Sequence, residues 1–247
     1  MFRKVGKQET LSEEIVKQIE EAIIQNKYNP GDKIPSEKEM CEIFDVSRTV
    51  IREAIQKLSA RGLIEVRKGS GIYVQEYAEK YVTDTMELYL ELNLNIDYIK
   101  HVMEIRKLFE PQLARIAAQS RSEEDVKKIN KTINELNECD VKDFKKEGKL
   151  DKKFHMQIAR SCGNPLILTM FKPIFQLMPK IRSLVYKDNI DIKSNALEYH
   201  QKIFDKIKDK DGKKSYNEMQ KHLEIAEEHS ERLLHDLESD DFIVQKE

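Results

Sequence analysis

Residues 34–74 read IPSEKEMCEIFDVSRTVIREAIQKLSARGLIEVRKGSGIYV, and this stretch decides the fold of the N-terminal part of the chain. Ser36 and Glu39 have the spacing of a capping box, in which each side chain accepts a hydrogen bond from the backbone N–H of the other residue. This spacing predicts a helix over about 36–44. Ser47 is expected to cap a second helix after a short turn. Two short helices joined in this way indicate a helix-turn-helix.

The second helix is followed by the pattern of a two-stranded hairpin. Apolar residues recur along this helix at the spacing of one buried face: Ile51, Ile55 and Leu58. Gly62 is expected to end the helix, because glycine readily takes the left-handed conformation that often follows one. Leu63 to Arg67 alternates apolar and polar residues, Lys68 to Gly71 forms a flexible turn, and Ile72 to Val74 returns as a second strand. The hairpin is a wing, and the whole pattern predicts a winged helix-turn-helix.

Arginines on the second helix favour DNA binding. Arg48 and Arg52 lie four residues apart, so both project from the N-terminal part of the helix, which enters the major groove in helix-turn-helix proteins. From residue 47 to residue 68, two glutamates stand against six basic residues: Arg48, Arg52, Lys57, Arg61, Arg67 and Lys68. Capped helix pairs followed by a hairpin also occur in other folds, where such arginines form only a solvated face. The pattern alone leaves both interpretations open.

Length and composition limit the class of protein. The 247 residues leave room for a second domain, and the formal net charge of −2 means that attraction to DNA must come from the local basic residues. No apolar run approaches the roughly 20 residues of a membrane span, and the N-terminal MFRKVGKQET lacks a hydrophobic signal core. A cytoplasmic protein without a membrane segment is expected. Three scattered cysteines without CxxC spacing suggest neither a disulfide framework nor a thiolate zinc site.

The rest of the chain has the pattern of helices. Ahead of the motif, a helix begins near Leu11 with Glu13 and Glu14 in its first turn. From Ile96 to Leu237, Gly and Pro are rare and apolar residues recur at spacings of three and four. Six helices are expected there, at about 97–118, 122–138, 142–162, 165–186, 191–209 and 213–237. The predicted fold class is mainly α, with a winged helix-turn-helix followed by an all-α bundle. The expected divisions are a DNA-binding domain at 1–77, a helix or linker at 78–95, the bundle at 96–237 and a tail at 238–247.

Four residues in the helical region have the side chains of a transition-metal site: Asp151, His155, His200 and His222. Asp151 and His155 are one helical turn apart, so their side chains point the same way from one helix. The two later histidines belong to two other helices, and inward projection in a bundle would close the site. An Asp and a His four apart on a charged helix are more often surface residues. Spacing alone therefore does not establish a site.

Residues 10–76 closely resemble the DNA-binding domain of the GntR family of bacterial transcriptional regulators. The resemblance is carried without a gap by PGDKIPSE, SRTVIREA and the wing sequence GLIEVRKGSGIYV. It implies a homodimer that reads a pseudo-palindromic operator in double-stranded DNA. It also implies specific contacts from Arg48 and Arg52, surrounded by further DNA-binding residues: Lys38, Ser47, Thr49, Lys68 and Gly69. Lys38 departs from the arginine that is often found at its position.

Residues 96–237 resemble FCD, the helical effector domain of the FadR subgroup of that family. The landmarks are E-x-R-x-x-x-E at 104–110, D-x-x-F-H at 151–155, SCGNP at 161–165 and two later histidines. The resemblance implies one divalent metal ion per chain, held by Asp151, His155, His200 and His222. Zinc is favoured, with nickel, manganese and iron as alternatives.

The same resemblance places Arg106 in an effector pocket, and Asn164 is expected to approach that pocket. Arg106 is expected to grip a carboxylate of a small organic acid, with Asn164 beside it as a hydrogen-bonding partner. The alternatives are that Arg106 only pairs with Glu104 or Glu110 on its own helix, and that Asn164 is a cap or turn residue before Pro165.

These patterns predict a transcriptional regulator, expected to be a repressor, whose operator affinity is controlled by a small carboxylate metabolite bound at the metal. The chain has no HExxH motif, no P-loop and no Ser/His/Asp signature, which argues against an enzyme. Two alternatives are a regulator that senses the metal directly and a metal-dependent enzyme tethered to DNA.

Overall fold

The computed structural model of the chain describes residues 10–76, 79–140, 143–185 and 190–239. The chain divides into two compact units, Met1–Val82 and Thr83–Glu247. The part of the expected tail beyond residue 239 lies outside the described residues.

The first unit is the winged helix-turn-helix that the sequence predicts. Its elements in chain order are helix α1 (Leu11–Ile24), strand β1 (Lys33–Ile34), helices α2 (Glu37–Phe44) and α3 (Arg48–Ala60), and strands β2 (Ile64–Arg67) and β3 (Gly71–Val74). Strands β2 and β3 form the antiparallel hairpin, with Val66 opposite Ile72. The sequence predicted only these two strands. The structure adds β1 on the other edge of β3, and a strand of two residues is too short for an alternating pattern to indicate it.

Capping residues define where the helices of this unit begin. Thr10 and Ser36 cap α1 and α2, each in a capping box with the glutamate three residues later. Ser47 occupies the N-cap position of α3, but its side chain makes no capping hydrogen bond, so that part of the prediction is wrong. Its backbone carbonyl instead accepts from Ile51 N at 3.3 Å. Gly62 follows α3 with φ of +75°, and the ring of Tyr81 lies where a Cβ would project.

Helix α3 has one buried face and one exposed face. Ile51, Ala54 and Leu58 have no exposed surface and pack into the core of the unit. Arg48 and Arg52 lie on the exposed side. The core contacts therefore hold the helix so that both arginines point to solvent.

The second unit is built from helices throughout its described residues. Helix α4 (Glu79–Leu92) covers most of the stretch in which a helix or linker is expected, and its first residues still belong to the first unit. The six predicted helices follow, with ends within two residues of the predictions: α5 (Ile96–Ser120), α6 (Glu123–Asn137), α7 (Phe144–Ser161), α8 (Pro165–Val185), α9 (Ile190–Lys208) and α10 (Gly212–Ser239). Among the described helices, none is both long and apolar enough to cross a membrane.

The core of the second unit lies among helices α5 to α10. Helix α5 packs against α10, and α7 packs against α8. Phe154 of α7 and Phe175 of α8 have no exposed surface. Gly148 allows a close approach of α7 to α8, because a Cβ there would lie 3.1 Å from the Cα of Pro179. Alongside this packing, the same helices enclose a set of charged and imidazole side chains.

Candidate functional site

The structure brings together the four residues proposed as metal ligands. Helix α7 supplies Asp151 and His155, α9 supplies His200, and α10 supplies His222. All four are at least 95% buried. Each histidine has a ring nitrogen within 4.8 Å of a ring nitrogen of the other two. Asp151 Oδ1 lies 3.4 Å from His200 Nε2 and 3.9 Å from His155 Nε2.

Ring packing holds the three imidazoles in this arrangement. His155 stacks on His222 with ring centroids 5.3 Å apart, and His200 lies 4.7 Å from His222. Phe154, next to His155 in the chain, packs against His200 at 4.3 Å. The aromatic core of the bundle therefore sets the positions of ligands that come from three helices.

The polar atoms of the cluster fit a metal cation. Asp151 Oδ2 and both ring nitrogens of His200 are buried and have no hydrogen-bond partner among the described residues. Buried polar atoms without partners are costly, and they are rare in folded proteins. Three imidazoles and one carboxylate are the donors that zinc and related divalent ions prefer. A cation at this point would satisfy atoms that the described protein groups leave unsatisfied.

Glu110 on α5 connects the cluster to an arginine. Its Oε1 accepts a hydrogen bond from Arg106 Nε at 2.5 Å, and its Oε2 lies 2.5 Å from His155 Nδ1. A carboxylate at Nδ1 fixes the ring orientation and leaves Nε2 for a metal, as is common for metal-binding histidines. The sequence indicated Glu110 only as part of a motif and as a partner for Arg106. Its contact with His155 comes from another helix and was not predicted.

Burial and charge set the protonation state of the cluster. Burial opposes ionisation of Glu110, but Arg106 and His155 outweigh it and hold the pKa of this carboxyl at about 2. For Asp151, burial is likewise outweighed, chiefly by Arg182, and the pKa lies below its usual range. Burial lowers the pKa of His200 to about 3 and lowers the pKa of His222 well below its ordinary value. The two acids are therefore ionised and these imidazoles neutral near pH 7, which is the state that binds metal.

The two residues predicted to bind an effector are placed very differently. Arg106 is buried, pairs with Glu110, and brings Nη2 to 3.4 Å from His155 Nε2. The alternative pairing with Glu110 is thus present, and the guanidinium also reaches the histidine cluster. Asn164 is exposed, and its Oδ1 accepts from Leu166 N at the start of α8. The structure does not bring Asn164 into the buried cluster, because its side chain satisfies the first turn of a helix.

A second buried arginine at the cluster was missed from the sequence. Arg182 of α8 donates from Nη1 to Asp151 Oδ1 at 3.0 Å and from Nη2 to Glu147 Oε1 at 2.5 Å. Glu147 lies one turn before Asp151 on α7, so Glu147, Asp151 and His155 form a stripe at intervals of four residues. That stripe was the available signal for Glu147. Nothing local to Arg182 indicates its partners.

The predicted DNA-binding residues all lie on the surface of the first unit. Lys38 is on α2, Arg48, Thr49 and Arg52 are in the first half of α3, and Ser47 precedes them. Lys68 and Gly69 occupy the turn between β2 and β3. Every one of these residues is exposed.

Ion pairs neutralise several of the six basic residues that the sequence shows between residues 47 and 68. Four of the basic residues contact a carboxylate, in the pairs Arg52–Glu37, Lys57–Glu53, Arg61–Glu20 and Arg67–Glu65. Lys38, Arg48 and Lys68 form no ion pair with the described residues. The contact of Arg52 is made by Nε, which lies 3.0 Å from Glu37 Oε2, and the guanidinium has four further N–H donors on its two terminal amino groups.

Comparisons with known proteins agree over both units. Residues 11–74 match the family model of bacterial regulatory proteins of the gntR family, and residues 101–225 match the FCD domain. The chain is 30% identical to the galactonate operon transcriptional repressor of Escherichia coli K12, over 81% of this chain and 88% of that protein. It is also 30% identical to the Uxu operon transcriptional regulator of the same organism, over 86% of this chain and 83% of that protein. Among solved structures it is similar to Streptococcus agalactiae GntR, with a TM-score of 0.66, 27% identity and coverage of 88% of this chain and 99% of that one.

The lowered histidine pKa values predict that acid destabilises the chelator-treated protein. A histidine whose folded pKa lies below its unfolded value of about 6.5 binds more protons when unfolded, so stability falls as the pH drops below that value. Each such histidine contributes up to about 1.4 kcal/mol per pH unit. The melting temperature should therefore decrease as the pH is lowered from about 7 to about 5. Ordinary carboxylates, with pKa values near 4, stay mostly ionised over this range in both the folded and the unfolded protein.

His200→Asn should flatten this pH dependence, whereas His101→Asn, at an exposed position of α5, should leave it unchanged. Thermal melts of the three chelated proteins across this pH range provide the measurement. Parallel profiles for wild type and His200→Asn would contradict the assignment of the slope to this cluster.

Proposed function

This chain belongs to the GntR family of bacterial transcriptional regulators and carries an FCD domain, and we propose that a small carboxylate bound at a divalent metal in its second unit controls its affinity for an operator. Its family and its relatives are regulators rather than enzymes, in agreement with the sequence. The observation that carries the proposal is the buried cluster of three histidines and Asp151, with unsatisfied ligand atoms and an arginine at its edge.

Asp151, His155, His200 and His222 would hold one ion, with zinc favoured by the three nitrogen donors. When bound, such an ion supplies a Lewis-acidic position at which a carboxylate oxygen can bind. The remaining work belongs to the protein. Glu110 orients His155 and holds Arg106 beside it, so that the guanidinium is fixed where a carboxylate of the effector would meet it.

A repressor is the form of regulation that we propose, because repressors occur among the relatives. In the first unit, Arg48 and Arg52 would read bases from the start of α3, and Lys38, Ser47, Thr49, Lys68 and Gly69 would contact or approach the phosphate backbone. The proposed effector site does not include Asn164, which is exposed and accepts a hydrogen bond from Leu166 N.

A homodimer is part of the same proposal, because a two-fold operator requires two recognition helices. The second unit has an exposed apolar surface that supports it. This surface consists of Ile105, Leu108 and Phe109 of α5 and Leu166 and Met170 of α8. The two helices are neighbours here, since the rings of Phe109 and Phe171 lie 5.1 Å apart. Contiguous exposed apolar residues are typical of protein interfaces.

Metal removal is expected to destabilise the protein, because an ion that binds only the folded state stabilises it by mass action, by about 2.7 kcal/mol at one hundred times its Kd. EDTA should therefore lower the melting temperature of metal-loaded protein. His200→Ala should abolish the difference between loaded and chelated samples, whereas His101→Ala at an exposed position should preserve it. The metal assignment fails if gently purified protein contains no metal by elemental analysis and added zinc, nickel or manganese leaves the melting temperature unchanged.

Operator recognition is tested at Arg52. Arg52→Ala should weaken binding to the operator by about 1–3 kcal/mol and weaken binding to random DNA less, because a base contact contributes only at the specific site. Lys57→Ala is the matched control, since Lys57 lies on the same helix but pairs with Glu53 and Ser12. Both affinities are measured at one fixed salt concentration, with and without metal and carboxylate. Equal losses on the two DNAs would refute base reading, and a response to metal alone would favour direct metal sensing.

Dimer formation is tested at the apolar surface of α5 and α8. Leu108→Glu should shift the protein toward monomers, because Leu108 belongs to that surface and is 67% exposed. Ile24→Glu, at an exposed apolar position of the first unit, serves as the control. Sedimentation velocity at micromolar concentration gives the oligomeric state. A monomeric wild-type protein, or a footprint over a single half-site, would contradict the proposal.

A further inference from the structure

The turn of the wing has a composition that favours flexibility. Lys68, Gly69 and Ser70 connect β2 to β3. Gly69 has φ of +75°, and Gly71, at which β3 begins, has φ of +137°. Glycine has more conformational freedom to lose on ordering than any other residue. A turn with glycines at both positions therefore needs further contacts if it is to hold one conformation.

Tyr73 of β3 contacts both ends of this turn. Its hydroxyl shares a hydrogen bond of 2.7 Å with the hydroxyl of Ser70. Its ring lies against the guanidinium of Arg67, the last residue of β2, with Arg67 Cζ 4.5 Å from the ring centroid. The backbone closes the same turn, since Ser70 N donates to Arg67 O at 2.9 Å. One aromatic side chain thus contacts the residue before the turn and the last residue within it.

We propose that Tyr73 is a positioning residue for DNA binding. It braces the turn of the wing, so that Lys68 and Gly69 are held where they meet the phosphate backbone. This role rests on the function proposed above, which assigns those two residues to the DNA. The sequence indicated Tyr73 only as part of a strand.

The strand register places Tyr73 on the outer face of the small sheet. Tyr73 lies opposite Glu65 of β2 and opposite Lys33 of β1. Residues that oppose each other on neighbouring strands share one face of a sheet, and successive residues of a strand alternate between faces. Ile72 therefore points the other way, and it is buried in the core of the first unit. The contacts of Tyr73 with the turn lie outside that core.

Two further contacts on this face hold the surroundings of the ring. Arg67 Nε donates to Glu65 Oε2 at 2.9 Å, which keeps the guanidinium over Tyr73. On the other edge of β3, the side chain of Lys33 lies over Gly71, because a Cβ at Gly71 would be 2.4 Å from Lys33 Cε. Exposed ion pairs contribute little to stability, so orientation is the better explanation for the first contact.

A braced turn increases affinity by preorganisation. A loop that must become ordered when it binds loses conformational entropy, whereas a loop that is already ordered does not. Contacts with the phosphate backbone occur on any DNA sequence. The brace should therefore raise affinity for specific and unspecific DNA alike. The alternative is that the hydroxyls of Tyr73 and Ser70 each contact the DNA themselves.

A double-mutant cycle on the full-length chain separates these explanations. Affinity is measured at one fixed salt concentration for two short duplexes, one that the wild-type protein selects from a random pool and one unselected. Tyr73→Phe and Ser70→Ala should each weaken both complexes by about threefold, as expected for one hydrogen bond. The double variant should lose no more than either single variant, because both changes remove the same bond.

Further variants test the ring and the turn. Tyr73→Leu should weaken binding by about tenfold, because it also removes the contact with Arg67. Lys68→Ala should weaken binding and lower the salt dependence by about one phosphate contact. Tyr28→Phe is the matched control, since Tyr28 is a half-buried tyrosine of the same unit whose hydroxyl has no partner among the described residues. Tyr73→Phe and Tyr28→Phe should both bind zinc and melt as the wild-type protein does.

Three results would overturn the inference. Additive losses in the cycle would mean that the two hydroxyls contact DNA separately. Wild-type affinity of Tyr73→Phe, together with a loss in Lys68→Ala, would show that the wing contacts DNA without the brace. If Lys68→Ala binds both duplexes as tightly as the wild type, the wing contact proposed above fails, and the role of Tyr73 fails with it.

Discussion

The buried carboxylate of Glu110 is the interaction on which the candidate centre depends. A buried charge is costly unless a partner compensates it, and Glu110 is compensated by Arg106 on its own helix. Its other oxygen faces His155 Nδ1 on α7, so one side chain orients both an arginine and a candidate metal ligand. The carboxylate therefore links α5 to α7, and α5 itself also packs against α10, which carries His222.

Elsewhere in the centre, buried carboxylates are likewise paired with an arginine. Glu147 and Arg182 repeat the arrangement on α7 and α8, next to Asp151. The charges lower the pKa of the acids, whereas burial lowers the pKa of His200 and His222, so the acids stay ionised and these rings neutral. Removal of one partner would leave a buried charge uncompensated. We therefore expect the proposed metal ligands and the proposed effector contact to depend on each other as members of one network.

In the first unit, by contrast, the charged pairs lie at the surface. Four of its basic residues are paired with carboxylates, and three predicted contact residues, Lys38, Arg48 and Lys68, have no ion pair with the described residues. Exposed pairs of this kind contribute little to stability, but they reduce the positive field that attracts any DNA sequence. A chain with a net charge of −2 must then rely on a few well-placed contacts, which favours specific over random DNA.

The sequence by itself determined the winged helix-turn-helix, the six later helices and the four candidate ligands. Helical periodicity, capping boxes and turn glycines are local properties, so Ser36, Glu39 and Gly62 could be interpreted without the rest of the chain. Tertiary structure decided the third strand, the exposed cap of Asn164, the link from Glu110 to His155 and the presence of Arg182 beside Asp151. Each of these, apart from the local cap of Asn164, depends on elements distant in sequence. The pairing of β1 with β3 joins segments about 40 residues apart. The contacts of Glu110 and Arg182 depend on how whole helices pack around Phe154 and Phe175, which no local pattern encodes.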